Sequence, residues 1–190
     1  EAKRHPHGSV VAGLRDALGD AACMKLLGIR NFSGVASRLD GEERALKLFL
    51  RACELKLMGG CYNAALLLRS EDTEYSNPKK ALHLFERACK GDDMQACFNA
   101  GVHYADGEGT KKDLRKAKTL FEKACSGGDP SGCTNLGVLY EKQSQSPRTL
   151  KKAHELYKQG CAKGDMLGCV NLALMLEKGR GTKKDEVQAH

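Results

Sequence analysis

A cysteine pair with an interval of eight recurs four times along this chain: Cys53 and Cys61, Cys89 and Cys97, Cys125 and Cys133, Cys161 and Cys169. Each pair follows the last by 36 residues, with no insertion between the first pair and the fourth. A fixed period of this length means stacked copies of one supersecondary unit, none able to bury its apolar face alone. Other positions keep the same step. Ala45, Ala81, Ala117 and Ala153 form one column, and Leu48, Leu84, Leu120 and Leu156 a second. Phe49, Phe85, Phe121 and Tyr157 are aromatic throughout, and Asn63, Asn99, Asn135 and Asn171 lie two places after each second cysteine.

Within a repeat, residues 45, 48, 49, 52 and 53 follow the spacing of an amphipathic helix. This helix, A, is predicted over roughly 42 to 55. A turn rich in Gly and Asp follows, and a second helix, B, starts near the next cysteine. Small residues precede that cysteine (Gly60, Ala96, Gly132, Gly168), and helix B carries another small residue at Ala65, Gly101, Gly137 and Ala173. Glycine costs about 1 kcal/mol inside a helix, so its recurrence predicts backbone packed on backbone. The linkers "ADGEGTKKD" and "EKGRGTKKD" end helix B with glycines suited to positive φ, whereas "RSEDTEYSNPKK" and "EKQSQSPRTLKK" lack those glycines but keep the length. The predicted fold is all-α: an α-solenoid of stacked antiparallel helical hairpins.

Both ends depart from the frame. Cys23 is the ninth cysteine and has Arg15 where a partner eight residues back would stand. Residues 1–8 therefore read as a flexible N-terminus, 9–40 as a degenerate repeat and linker, and 41–185 as four regular repeats. Cys23 itself reads as a buried inert thiol, with a bond to another chain or to a missing segment as the sharper alternative. Ala189 falls 36 after Ala153, so 186–190 read as the start of a further helix, as in a truncated chain. The beginning, "EAKRHPHGSVVAG", has no hydrophobic segment of signal-peptide length, and apolar runs such as "NAALLL" are too short to span a bilayer.

The repeat wording "LFERAC…GDDMQACFNAGVHYADGEGTKKDLRKA" resembles Sel1-like repeats over about residues 42 to 190. More narrowly it is similar to their cysteine-rich branch, which holds Helicobacter-type cysteine-rich proteins and a mitochondrial Sel1-repeat cytochrome c oxidase assembly factor. The resemblance implies disulfide-stapled hairpins. Spacing agrees, because seven intervening residues can reverse the chain and bring two Cα atoms to about 5.5 Å. Buried free thiols and a zinc site are the alternatives, although no His keeps register with the pairs. Disulfides imply an oxidising compartment, with the mitochondrial intermembrane space preferred and a secreted or periplasmic location as the alternative.

Stacking turns columns into surface stripes. Arg44, Lys80, Lys116 and Lys152 form one basic column, and Arg51, Arg87 and Lys123 lie seven residues on, nearly on the same side. With a net charge of +7, such a stripe suits an acidic protein face or, secondarily, anionic lipid headgroups; a plain solvated face is the bland alternative. The Asn column is expected to bond to backbone, with gripping of an extended peptide as the alternative. Nucleic acid is not an expected partner, since the aromatic residues are spent on core columns. Ser76-Asn77-Pro78-Lys79 spells the S-x-x-K of penicillin-binding enzymes without the accompanying S-D-N or K-T-G. His5 and His7 flank a proline, and His83, His103 and His154 occupy unrelated columns, so no metal set and no cofactor is predicted. The resemblance implies a non-enzymatic interaction scaffold, an assembly factor for or accessory subunit of a mitochondrial respiratory complex. A secreted or periplasmic protein with penicillin-binding or β-lactamase-type activity is the alternative.

Overall fold

The computed structural model describes residues 38–71 and 74–182, the side chains of 38–42 and 44 excepted. Among the described residues are eight helices: α1 (Arg38–Glu54), α2 (Met58–Arg69), α3 (Pro78–Lys90), α4 (Met94–Asp106), α5 (Leu114–Ser126), α6 (Pro130–Gln143), α7 (Pro147–Ala162) and α8 (Met166–Glu177). The odd-numbered ones are A helices and the even-numbered ones B helices. The chain forms two compact units, one ending at Asp93 and the other beginning at Met94. In the first, α1 packs on α2 and α2 on α3. In the second, each of α4 to α7 packs on the next helix, and α6 also touches both α4 and α8. The chain is all-α, an α-solenoid built from helical hairpins.

One turn design joins A to B in every repeat. The N–H groups of Leu57, Asp93, Asp129 and Asp165 donate to the carbonyls of Ala52, Ala88, Ala124 and Gly160 at 2.9–3.1 Å. This six-to-one bond closes a Schellman motif and satisfies a carbonyl the helix end would leave bare. The residue before each donor must take a left-handed backbone: Lys56 (φ 64°), Asp92 (φ 63°), Gly128 (φ 101°) and Gly164 (φ 89°). Immediately after it, Asp129 and Asp165 start the B helix by accepting from Gly132 N at 2.7 Å and Leu167 N at 3.3 Å. Leu57 offers no such cap.

The disulfides close across this turn. Cys53–Cys61, Cys125–Cys133 and Cys161–Cys169 are bonded, with Cα atoms 4.5, 4.5 and 4.4 Å apart. Cys89 and Cys97 are disulfide-bonded as well. All eight repeat cysteines are thus oxidised, neither free thiols nor zinc ligands. The Cα atoms are nearer than the expected 5.5 Å because glycine seats the B helix directly on the A helix. A Cβ at Gly60 would stand 2.6 Å from that of Ala52, and one at Gly132 equally close to that of Ala124.

Columns predicted apolar form the core. Phe49, Phe85, Phe121 and Tyr157 are buried, as are Ala81, Ala117, Ala153 and Leu84. Leu48, Leu120 and Leu156 are only half-buried. The second small-residue column works differently from the expectation of backbone on backbone. A Cβ at Gly101 would lie 2.6 Å from Cε1 of Phe121, and one at Gly137 would lie 2.8 Å from Cε1 of Tyr157. An aromatic ring of the following A helix occupies the space a side chain would need.

Helix α1 begins four residues before the expected position and carries Gly41 inside it. The two linkers beginning "ADGEG" and "EKGRG" have positive φ at Gly107, Gly109, Gly179 and Gly181, as expected. Without such glycines α6 runs on to Gln143, and Ser146-Pro147 starts α7 after three linking residues. That repeat keeps its total length but converts linker into helix. Residues 1–8, Cys23, most of the segment 9–40, and 186–190 lie outside the described residues.

Candidate functional site

A concavity lies within the second unit, a groove of about 490 Å³ walled by the end of α4, the linker after it, α5 and α6. Its apolar lining comes from Phe121, Val138, Leu139 and Leu114, the last about half exposed at 50%. Its charges come from Lys112 in the linker, Arg115 and Lys118 on α5, and Lys142 on α6, against the single carboxylate of Asp106. Among the described residues, Lys112, Arg115 and Lys142 have no acidic partner within 4 Å. Lys118 reaches Glu122 at 3.9 Å and lies 4.7 Å from the centre of the Tyr140 ring.

Local sequence explains both position and sign. Asp113 caps α5 by accepting from the N–H groups of Arg115 and Lys116 at 3.0 Å each, which fixes where the linker lysines end and the helix begins. Lys118 stands in the column of Leu46 and Leu82, which are buried at 9% and 6% exposure; His154 continues the column and is half-buried. Two repeats fill this position with leucine. The third places a long cation there, whose head must stay hydrated while its stem lies on apolar surface. The groove is therefore a property of one repeat. No column of like residues announced it; the break from Leu to Lys was the available signal.

The basic columns fall elsewhere. Lys80, Lys116 and Lys152 are exposed, while the Arg44 side chain lies outside the described residues. Lys116 sits 4.8 Å from the Tyr104 ring centre and Lys152 5.1 Å from that of Tyr140, so these lysines cover aromatic surface of the preceding helix. Arg51 is exposed and paired with Glu54 at 2.8 Å. Arg87 is half-buried and donates to the Cys53 carbonyl at 2.9 Å, tying α3 to the end of α1. Lys123 is half-buried. None of these seven lines the groove.

The Asn side chains of three repeats bond within their own helices. Asn63, Asn99 and Asn135 donate Nδ2 to the carbonyls of Gly59, Gln95 and Ser131 at 2.7, 2.8 and 3.0 Å. Asn171 is half-buried. Asn135 also borders the groove. Ser76 and Lys79 of the S-x-x-K match are both exposed, where Asn77 caps α3 by accepting from Lys80 N. His103 is fully buried, with Nδ1 3.0 Å from the Glu108 carbonyl oxygen, so it braces the α4 terminus. His5 and His7 lie outside the described residues. Among the described residues, no three His, Cys, Asp or Glu side chains are grouped to hold a metal, and no helix is long and apolar enough to cross a membrane.

Helical hairpins closed by disulfides, with a basic groove in one repeat, define a helical-repeat protein of the oxidised class. Sel1 repeats match residues 21–57, 60–93, 95–129, 130–165 and 167–190, and the chain belongs to that family. A Sel1 repeat protein from Oxalobacter formigenes superposes with a TM-score of 0.71 at 20% identity, over 97% of this chain and 69% of that one. The protective antigen c5321 of uropathogenic Escherichia coli, which displays an SLR fold, gives 0.75 at 20% identity, over 96% of this chain but 38% of its own length. Helicobacter pylori cysteine rich protein B gives 0.55 at 29% identity, over 72% of this chain and 98% of that one. Curated protein sequences gave no match.

Proposed function

We propose that this chain is a non-enzymatic scaffold that binds another protein in an oxidising compartment. The observation that carries this reading is the basic groove, whose Lys112, Arg115 and Lys142 have no acidic partner among the described residues, set in a solenoid whose hairpins are covalently closed. Rigid stacked repeats present extended surfaces without the ordering cost of a flexible binder. Membership of the Sel1 repeat family supports an interaction role. The exposed lysines 116 and 152, which do not line the groove, are a second candidate contact for an acidic partner or anionic lipid, as Lys80 is in the first unit. As the setting we favour the mitochondrial intermembrane space and a respiratory-complex partner, on the sequence resemblance to the mitochondrial branch; secretion is the alternative.

Cross-linking in intact mitochondria followed by mass spectrometry tests this. Recovery of respiratory-complex subunits, reduced by reversing Lys80, Lys116 and Lys152 or Lys118 and Lys142 to Glu, is the expected result. Arg87 is unsuitable for reversal, because it holds the Cys53 carbonyl. The hydrolase reading has less support, since Ser76 is solvent-exposed in the loop before α3. Covalent labelling by a fluorescent penicillin, lost on Ser76→Ala, would overturn the scaffold.

A further inference from the structure

Resting on the scaffold reading and naming its partner's chemistry, we propose that the groove between α4, α5 and α6 receives an extended acidic segment of another protein, with one large apolar side chain seated on its floor. Val138 and Leu139, both half-buried, and the exposed Leu114 offer apolar surface above the buried Phe121 ring, and about 490 Å³ accommodates one large side chain with its flanking backbone. The cations are distributed over the linker, α5 and α6, an arrangement that suits carboxylates strung along a chain. Asp106 is the only carboxylate in the lining and sets a polarity, repelling the acidic residues toward the other rim. Asn135 adds a backbone contact. Its Nδ2 is committed to Ser131, while its Oδ1 accepts from no described group and is suited to a peptide N–H.

Specificity to one repeat follows from Lys118. Where Leu46 and Leu82 fill the corresponding position, the side chain is buried and no cation is offered. The acidic segment therefore binds at the third repeat and not along the whole array. Lys118 and its neighbours attract the carboxylates, and Leu114 with Val138 and Leu139 of α6 holds the anchor.

Fluorescence anisotropy with the full disulfide-bonded chain tests this, using as probe a fluorescein-labelled peptide, Gly-Glu-Glu-Leu-Asp-Glu-Gly, amidated at its C-terminus. The probe should bind, and replacing its Leu by Ala should weaken binding about tenfold, as loss of one seated side chain requires. Lys118→Leu restores the residue of the first two repeats and should weaken binding about tenfold without harming the fold. Lys142→Glu should do the same, and raising salt from about 50 to 500 mM should weaken the wild-type complex. Equal binding by Lys118→Leu, or loss only on Lys80→Glu with Lys116→Glu, would overturn the groove while leaving a scaffold that binds elsewhere. Indifference to the probe's Leu would overturn the apolar anchor, and so the proposal. No probe binding, with the cross-links to respiratory subunits intact, would likewise remove the groove alone. Binding to phosphatidylserine vesicles in place of the probe, lost on Lys142→Glu, would assign the cations to a membrane and overturn it too.

Discussion

Lys56 isolates the backbone term of the A–B turn. Its φ of 64° puts an L-residue in the left-handed region, where Gly128 and Gly164 stand in the corresponding turns. The side chain is exposed and makes no hydrogen bond or ion pair among the described residues, so replacing it removes no contact. A left-handed backbone costs an L-residue about 1–2 kcal/mol. Glycine gives back about 0.5–1 kcal/mol through its greater freedom in the unfolded chain. That loss is at its smaller end here, because the Cys53–Cys61 bond keeps residue 56 inside a closed loop even after unfolding. Lys56→Gly should therefore stabilise by about 0.5–1 kcal/mol. Gly164→Ala is the converse: φ is 89° and an added Cβ would meet nothing within 4 Å, so only backbone strain is introduced, at a cost of about 1 kcal/mol. Urea unfolding with disulfides intact reads both, as a rise and a fall in midpoint of about 0.3–0.5 M at unchanged slope. Amide exchange on α2 and on α8 assigns each effect to its own hairpin. Leu57→Asp should add about 0.5–1 kcal/mol to the first substitution by supplying the cap that Asp129 and Asp165 provide elsewhere. A lowered midpoint for Lys56→Gly, or a raised one for Gly164→Ala, would refute the strain argument.

Further outcomes follow from the packing. Gly101→Ala should destabilise by about 1–3 kcal/mol, because its Cβ would stand 2.6 Å from a Phe121 ring that is itself 1% exposed; an unchanged thermal midpoint would mean the ring yields. Tyr157 donates to Glu141 at 2.8 Å while Arg180 holds the other carboxylate oxygen at 2.7 Å, so Tyr157→Phe should cost about 1 kcal/mol and Glu141→Ala, which strands a buried hydroxyl, about 2–3 kcal/mol in urea titrations. Burial, and then the hydrogen bond and charge of Glu141, raise the Tyr157 hydroxyl above its ordinary range. An unfolded phenol ionises near pH 10, so above about that pH unfolding releases a proton and stability falls as pH rises; Tyr157→Phe should flatten that alkaline loss. Cys161 and Cys169 are half-buried whereas Cys53 and Cys61 are 1% and 0% exposed, so limiting reductant followed by alkylation should label the 161–169 pair first and the 53–61 pair last.

Periodicity made the fold legible because repetition averages away local noise. Four copies of Ala, aromatic and Cys at one step locate the buried face of helix A, and Phe49, Phe85, Phe121 and Tyr157 are all buried accordingly. The turn was legible as composition, Gly and Asp between two cysteines, but its geometry was not. Lys56 and Asp92 carry no mark of a left-handed backbone, and only their register with Gly128 and Gly164 reveals it. The Gly101 column predicts helix touching helix because sequence reports a missing side chain without reporting what fills the space. The aromatic ring of the next repeat fills it.

The groove was hidden for the opposite reason. Residues that recur stand out in a repeat sequence, and the recurring lysines 116 and 152 lie over the tyrosines of the preceding helices. A solenoid needs its recurring residues to hold neighbours together, so recurrence marks structure first. A binding site that distinguishes one partner segment from another gains from breaking the repeat. Lys118 in a leucine column and Tyr157 in a phenylalanine column are such breaks, one opening a basic groove and the other carrying a hydroxyl that Glu141 satisfies. Among helical repeats of this kind, departures from the period at half-buried positions are the places to look for recognition.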